Sequence, residues 1–264
     1  MYNSTRSISK YILVLLGCIA CMVLNRCRQD DAEILTIAAA SSMQFALDEL
    51  VEVFEKEKGI PCNIITGASG MLTAQISEGA PYDVFLSADL EYPAYLYENN
   101  FASEPPFIFA RGILVIWSVT QELPYSITAL TDASISKIAI PNPEIAPYGK
   151  AAMMFLSSQD IADAVKNKLV YGESVSQVNQ FIASGAVSIG FTAKSVLFSP
   201  EFKDKGMWAA LDDRLYAPIN HGALVLTLDA KKVKDAKAFT DFLRSKSGRR
   251  ILEKYGYQIP NHSP

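Results

Sequence analysis

Strand-like and helix-like segments alternate along the chain from residue 34 onward, and this alternation limits the possible folds more than any other feature. The first strand-like run, 34–40, is followed by apolar residues at positions i, i+3, i+4 and i+7 of a helix, namely Leu47, Leu50, Val51 and Phe54. Alternating strands and helices are typical of α/β architecture, in which helices cover the faces of a mostly parallel sheet. The pattern therefore predicts an α/β protein.

The same reasoning predicts the remaining elements. Further strands are expected at 60–66, 82–88, 112–118, 137–140, 187–192 and 222–228. Helices are expected at 43–57, 71–78, 149–157, 175–183, 231–244 and 249–255. No internal repeat and no low-complexity linker interrupts this part of the chain. If this part of the chain forms two lobes, the absence of a linker implies that the chain crosses between them more than once.

The first 27 residues are interpreted as an export signal. Two basic residues and no acid precede fourteen uncharged residues, 11–24. This run is shorter than the roughly 20 apolar residues that a membrane-spanning helix needs, and it fits a secretory signal. Cys18 and Cys27 are both candidate lipidation sites, since the tetrapeptide ending at Cys18 resembles a bacterial lipobox and Cys27 lies just past the apolar run, before four polar residues. We expect an exported protein in the periplasm or cell envelope, held to the membrane only by a lipid on one of these cysteines.

Composition excludes several classes of protein. Half of the residues are hydrophobic, and 24 basic side chains stand against 28 acidic ones, which excludes a disordered or collagen-like chain. The formal net charge is −4, and removal of residues 1–26 takes away three bases and no acid, which lowers it to −7. An acidic body argues against binding to nucleic acid. Cys62 is the single cysteine after the signal, so a disulfide framework is excluded.

Two junctions between a strand and a helix are candidate anion sites, one at Ser41 and one at Ser69. The N-terminus of a helix presents unpaired backbone N–H groups and the positive end of the helix dipole. Acids are common in the first turn of a helix, yet the first acid after Ser41 is Asp48, and the first after Ser69 is Glu78. The alternative is simple capping, because Ser41 with Gln44 fits a capping box.

A secreted serine hydrolase is an alternative from a different class, with Ser69 as nucleophile and His221 as base. The segment 67–71 misses the G-x-S-x-G pattern at its last position, and the other histidine, His262, lies in the C-terminal tail. No H-E-x-x-H or phosphate-loop motif occurs in the sequence. We therefore expect no enzymatic activity. A third alternative, the ligand-sensing domain of a regulator, is disfavoured. An export signal precedes the body, whereas such a regulator would carry a DNA-binding helix pair in that place.

A series of segments, in order, resembles the periplasmic molybdate-binding proteins of ABC transporters. They are AAAS at 38–41, GASG at 67–70, QISEGAPYDVFLSAD at 75–89, PNPEIAPYGKAA at 141–152, GESVSQVNQFIASG at 172–185, GFTAKS at 190–195 and KYGYQIP at 254–260. The resemblance implies the type II periplasmic binding protein fold, with two α/β lobes joined by two crossover strands and a ligand cleft between them. We expect lobe 1 to comprise 34–112 plus 223–264, and lobe 2 to comprise 113–222.

The resemblance also implies how a ligand is held. In this family, Ser hydroxyls and backbone N–H groups from both lobes bind the oxyanion. Carried over by motif, Ser41 and Ser69 are the donors of the first lobe, with Ser42 as their neighbour. Tyr148 and Val175 serve from the second lobe, Val175 through its backbone N–H. The alternative for Tyr148 is a purely packing role beside the preceding proline.

One position departs from part of the family. A branch carries a ligand-contacting Tyr where this sequence has Ala193, which has no side-chain donor. Another branch carries a tyrosine in the APYG motif, as this chain does with Tyr148. The chain is therefore placed nearer the second branch.

The chemistry of the two loops limits which anions the site can bind. Molybdate, tungstate and sulfate carry no proton at neutral pH and need only donors, whereas monohydrogen phosphate benefits from a carboxylate acceptor. The loops contain no Asp or Glu, which argues against phosphate. We expect a monomeric solute-binding protein that delivers molybdate or tungstate to an ABC permease, without a cofactor and with the metal bound only as its oxyanion. The alternative ligand is sulfate or another tetrahedral oxyanion.

Overall fold

The computed structural model describes residues 34–120, 126–227 and 229–260. The predicted export signal, with Cys18 and Cys27, lies outside the described residues. The strands are β1 (Leu35–Ala40), β2 (Cys62–Gly67), β3 (Val84–Ser87), β4 (Phe107–Gly112), β5 (Leu114–Ser118), β6 (Ile138–Pro141), β7 (Leu169–Gly172), β8 (Ile189–Ala193), β9 (Met207–Ala210) and β10 (Ile219–Val225). The α-helices are α1 (Gln44–Lys58), α2 (Ser69–Ser77), α3 (Glu91–Glu98), α4 (Pro147–Ser158), α5 (Ala162–Val165), α6 (Val175–Ala183), α7 (Lys194–Leu197), α8 (Val233–Arg244) and α9 (Lys246–Lys254). Short 3₁₀ helices span Ser41–Met43, Ile127–Thr131, Lys166–Lys168 and Asp213–Leu215.

The strands form two five-stranded sheets of similar design. The first has the order β2-β1-β3-β10-β4, and the second has the order β7-β6-β8-β5-β9. In the first sheet β1 runs parallel to β2 and β3, whereas β10 is antiparallel to β3 and β4. In the second sheet β6 runs parallel to β7 and β8, whereas β5 is antiparallel to β8 and β9. The predicted α/β class is confirmed, with one lobe built around each sheet.

The chain crosses between the two sheets twice. It leaves the first sheet at Gly112, the end of β4, and enters the second at Leu114, the start of β5. It returns after the 3₁₀ helix 213–215 and rejoins the first sheet at Ile219, which pairs with Gly112. Strand β10 thus lies in the first sheet four residues before the expected return at 223. The lobe boundaries at 34–112 plus 223–264, and at 113–222, stay a prediction.

Alternating side chains of the first sheet build two separate cores. Ile37 and Leu86 point to one face, where they pack with α1, α8 and α9. Ala38 and Phe85 point to the other face, where they pack with α2 and α3. Because successive residues of a strand face opposite sides, a strand buried on both faces is apolar throughout. This explains the largely apolar run, interrupted only by Thr36, that forms β1.

Helix α1 forms as its apolar spacing predicted. Its residues Leu47, Leu50 and Phe54 are fully buried, and the ring of Phe54 meets that of Phe239 edge to face at 5.1 Å. The helix ends at Gly59, whose φ of 69° is left-handed and accessible to glycine at little cost. Among the described residues, no helix is both long and apolar enough to span a bilayer.

The starts of two helices differ from the predictions in a way that affects the site. Helix α2 begins at Ser69, two residues before the predicted start at 71, so Ser69 lies in its first turn. Helix α4 begins at Pro147, two residues before the predicted start at 149, so Tyr148 also lies in a first turn. Proline suits the first helical position because that N–H has no partner within the helix.

Candidate functional site

A small cavity lies between the two sheets, where several helices begin. All five residues expected at a site line it: Ser41, Ser42, Ser69, Tyr148 and Val175. Its volume is about 10 Å³, whereas pockets for drug-sized organic ligands measure roughly 300–1,000 Å³, so this cavity suits a ligand of only a few atoms.

The hydroxyl of Ser69 lines the cavity, and its hydrogen has no acceptor among the described residues. Its oxygen accepts a hydrogen bond from the backbone N–H of Ala88 at 3.1 Å. The residue preceding α2 is Ala68, and no side chain caps this helix. The capping interpretation of Ser69 is therefore wrong. A hydroxyl has one donor hydrogen, and because the Ala88 N–H occupies a lone pair, the O–H of Ser69 remains available to a ligand.

Ser41 has the same arrangement, with a partner from the other lobe. Its oxygen accepts from the N–H of Ser176 at 3.4 Å. Ala40 precedes the 3₁₀ helix, and no side chain caps that helix either. The side chain of Gln44 accepts from the Ser176 hydroxyl at 3.1 Å, so Ser41 and Gln44 do not form the capping box that their spacing suggested.

Ser42 contributes a hydroxyl that the protein does not satisfy. Its oxygen is buried near the hydroxyls of Tyr148 and Tyr257, and it has no hydrogen bond of good geometry to any described residue. The backbone around it is fixed, since the carbonyl of Ser42 accepts from the Ser195 hydroxyl at 2.7 Å and from the Tyr257 hydroxyl at 3.1 Å. Buried polar groups are nearly always paired in native proteins. An unpaired hydroxyl lining a cavity therefore marks the cavity as a place where a polar ligand fits.

The second lobe contributes Tyr148 and Val175. Tyr148 is only 1% exposed, and burial holds the pKa of its hydroxyl well above the usual range, so the group stays neutral and able to donate. Val175 is the first residue of α6, where its N–H has no carbonyl of the same helix within reach. The cap of this helix is the neighbouring Ser174, whose side chain accepts from the N–H of Gln177 at 3.3 Å.

The electrostatics of the cavity favour an anion. The 3₁₀ helix 41–43, α2, α4 and α6 all begin at the cavity, and none of them has an acid in its first turn. Among the described residues lining the cavity there is no Asp or Glu. The positive ends of these helices and the neutral hydroxyls therefore meet without a competing carboxylate.

Direct contacts close the cavity between the lobes. The N–H of Gly70 donates to the carbonyl of Ile145 at 2.9 Å, and the hydroxyl of Tyr92 donates to the carbonyl of Glu144 at 3.3 Å. In addition to these hydrogen bonds, an ion pair joins Lys150 and Glu91 at 2.7 Å. Each contact links an element of the first lobe to an element of the second, so the described conformation is the closed one.

Comparison with known proteins identifies the family. The family model for bacterial extracellular solute-binding proteins matches residues 35–258. The chain belongs to this family. Its relatives include the molybdate-binding protein ModA of Rhodobacter capsulatus, 34% identical over 85% of this chain and 88% of that protein. A putative ABC transporter substrate-binding lipoprotein of Bacillus subtilis, YvgL, is 31% identical over 84% of this chain and 85% of that protein.

A solved structure confirms the fold expected of a solute-binding protein. The periplasmic molybdate-binding protein of Azotobacter vinelandii superimposes with a TM-score of 0.81 and 32% identity, covering 86% of this chain and all of that one. The predicted type II fold with two α/β lobes is thus confirmed. These three relatives are named as binding proteins, and none of the three is named as an enzyme.

The arrangement of a serine hydrolase is absent from the described residues of this solute-binding protein. Ser69 lines the cavity, whereas His221 does not, and no hydrogen bond joins the two side chains. His221 is fully buried, and burial lowers its pKa to about 3. The structure also contains no cluster of three or more His, Cys, Asp or Glu side chains that would hold a metal, as far as the described residues extend.

Two alanines near the site differ in their roles. Ala193 ends β8, is fully buried and does not line the cavity, so it takes no part in the closed site. Ala88, by contrast, lines the cavity and positions Ser69, a role that sequence reasoning missed. An alanine that acts through its backbone N–H leaves no signal in the sequence.

Proposed function

We propose that this protein is an exported solute-binding protein that captures molybdate and delivers it to an ABC permease. The observation that carries the proposal is the closed cavity, in which three serine hydroxyls and four acid-free helix starts converge. The molybdate-binding relatives, which align over most of both chains, support the same ligand.

The geometry suggests how the anion would be bound. Ser41 and Ser69 each receive a backbone N–H and can each donate an O–H, and Ser42 adds a third hydroxyl. Hydrogen bonds to an ionised acceptor are about twice as strong as bonds between neutral groups. A site of neutral donors compensates the charge of a dianion without burying a lysine or arginine, and it offers no carboxylate to accept the proton of monohydrogen phosphate.

The proposal also covers the binding of tungstate, a lipid anchor and a monomeric state. Tungstate has nearly the same size and the same charge as molybdate, so a cavity selecting by shape and donors accepts both. A lipid on Cys18 or Cys27 would keep the protein at the envelope, and the Bacillus subtilis relative, named as a lipoprotein, supports this part. We propose that the protein works as a monomer, because both halves of the donor set come from one chain.

Ligand-induced stabilisation tests the proposal. At a concentration 100 times the dissociation constant, a ligand that binds only the folded state adds about 2.7 kcal/mol of stability. We expect molybdate and tungstate to raise Tm and phosphate to leave it unchanged, measured by differential scanning calorimetry at constant ionic strength. A shift with sulfate alone would support the alternative ligand, and no shift with either molybdate or tungstate would refute the proposal.

The ion pair between Glu91 and Lys150 provides a test of lobe closure. Both side chains are largely exposed, and exposed pairs typically contribute about 0.2–1 kcal/mol, or roughly a fivefold change in affinity at most. Opening of the lobes to admit a ligand would break this pair, so the energy should appear in the binding constant.

A double-mutant cycle isolates this small contribution from direct charge effects on the anion. We expect Glu91→Gln and Lys150→Gln to be non-additive in molybdate affinity, with a coupling of up to about fivefold that disappears in roughly 0.5 M salt. Additive effects at low salt would show that the pair contributes nothing to the closed, ligand-bound state.

A further inference from the structure

His221 lies behind the site in an unusual environment. It is fully buried on β10, at a bulge between residues 221 and 222. Three aromatic rings of the described chain surround it, with centroid distances of 6.1 Å to Phe109, 6.1 Å to Tyr148 and 5.1 Å to Tyr257. Of these rings, only that of Tyr148 lines the cavity. The imidazole therefore touches the proposed anion site through one side chain.

The two ring nitrogens of His221 differ in their surroundings. Nε2 lies 3.5 Å from the hydroxyl oxygen of Tyr148. Nδ1 is buried without a hydrogen-bond partner among the described residues. Burial lowers the pKa of this imidazole to about 3, so the ring carries a single N–H at neutral pH. The position of that hydrogen decides which group donates to Tyr148.

The unpaired Nδ1 selects between the two tautomers. A hydrogen on Nδ1 would be a buried donor with no acceptor, and orphaned N–H groups are rarer in native proteins than under-satisfied acceptors. A hydrogen on Nε2 points instead at the oxygen of Tyr148. The Nε2–H form therefore satisfies the only donor of the ring.

We propose that His221 positions Tyr148 as a ligand donor: its Nε2–H donates to the Tyr148 oxygen, which leaves the single O–H of Tyr148 for the oxyanion in the cavity. This inference rests on the proposed function. In the opposite tautomer, Nε2 would accept the O–H of Tyr148 and compete with the anion for it. His221 itself does not line the cavity, so it acts as a positioning residue.

The length of the contact leaves room for the bond to shorten. A separation of 3.5 Å is longer than the roughly 2.7–3.2 Å typical of N–H···O hydrogen bonds. When the O–H of Tyr148 donates to an anion, its oxygen becomes a better acceptor, because hydrogen bonds in a chain polarise one another. The bond from His221 should therefore shorten on ligand binding, and the two bonds should reinforce each other.

Nitrogen NMR of the unmodified protein tests the tautomer directly. The chain has two histidines, His221 and His262, so the imidazole signals of the ¹⁵N-labelled protein are few and assignable. We expect His221 to be protonated at Nε2 and not at Nδ1, both without ligand and with inorganic molybdate. Protonation at Nδ1 in the molybdate-bound protein would overturn the inference, whether or not any variant folds.

Variants at position 221 test the consequence for affinity. The side-chain amide of glutamine can place a donor near the position of Nε2, whereas that of asparagine lies near Nδ1. We expect His221→Asn to weaken molybdate binding about tenfold, the size expected for impairing one hydrogen bond to a charged group, and His221→Gln to restore most of the loss. Isothermal titration calorimetry measures both, and thermal unfolding shows whether each variant folds.

The same substitutions in a Tyr148→Phe background show whether His221 acts through Tyr148. Without the phenol oxygen, His221→Asn should cause no further loss of affinity. A loss of equal size in both backgrounds would overturn the positioning role. Failure of the wild-type protein to bind molybdate would instead refute the proposed function, so the two failures are distinguishable.

Discussion

Replacement of both Ser41 and Ser69 by alanine is expected to weaken molybdate binding by roughly 10²- to 10⁴-fold. Each substitution removes one hydroxyl donor, and a hydrogen bond to a charged group contributes about 1.5–3 kcal/mol. The two hydroxyls are already oriented by the N–H groups of Ala88 and Ser176, so little ordering cost reduces their contribution. Isothermal titration calorimetry of the single and double variants measures the loss.

A serine that does not line the cavity supplies the matched control. Ser245 precedes α9, and its side chain accepts from the N–H of Gly248 at 3.1 Å. Ser245→Ala should lower the free energy of unfolding by about 1 kcal/mol and leave molybdate affinity unchanged. The Ser69→Ala variant should lose a similar amount of stability, because the N–H of Ala88 loses its acceptor. Equal affinities for the two variants would contradict the role assigned to Ser69.

Substitution of Gly112 by alanine is expected to lower molybdate affinity by about 10- to 100-fold and stability by about 1–3 kcal/mol. Gly112 ends β4, where the chain crosses between the sheets. A Cβ atom there would overlap the hydroxyl of Tyr148 and lie 3.0 Å from Nε2 of His221. Since both side chains are fully enclosed, the phenol must move away from its position at the cavity. Calorimetric titration and thermal unfolding measure the two losses.

Removal of the phenol oxygen separates the two effects of this substitution. In a Gly112→Ala, Tyr148→Phe variant the closest overlap is gone, so part of the lost stability should return. Affinity should stay low, because the donor is absent. Wild-type affinity in Gly112→Ala alone would show that the position of Tyr148 does not matter for binding.

Local patterns in the sequence predicted many of the buried elements of the fold, but not β4, β7 or α3. The spacing of Leu47, Leu50 and Phe54 predicted α1. Strand β9, in contrast, has four exposed residues at the edge of the second sheet, so no buried face leaves a pattern to detect. Periodicity in a sequence indicates which residues are buried. An exposed edge strand is held by pairing with its neighbouring strand, and such pairing leaves no periodic pattern.

The motifs predicted residues that line one cavity, but they did not predict the hydrogen bonds between these residues. The motifs named Ser41, Ser69, Tyr148 and Val175, and the structure brings all of them to one cavity. The bond between Ser41 and Ser176 joins residues 135 positions apart, and no local pattern encodes such a pairing. For the same reason the spacing of Ser41 and Gln44 suggested a cap that tertiary contacts override.

The division of the donors between two lobes has a consequence for unloading. Ser41 and Ser69 follow strands of the first sheet, whereas Tyr148 and Val175 begin helices packed on the second. Separation of the lobes by a few ångströms would halve the set of donors in a single movement. A permease that pulls the lobes apart therefore needs no site of higher affinity to take the anion. The rate of anion release would then depend on how fast the permease separates the lobes, and not on how tightly the permease itself binds the anion.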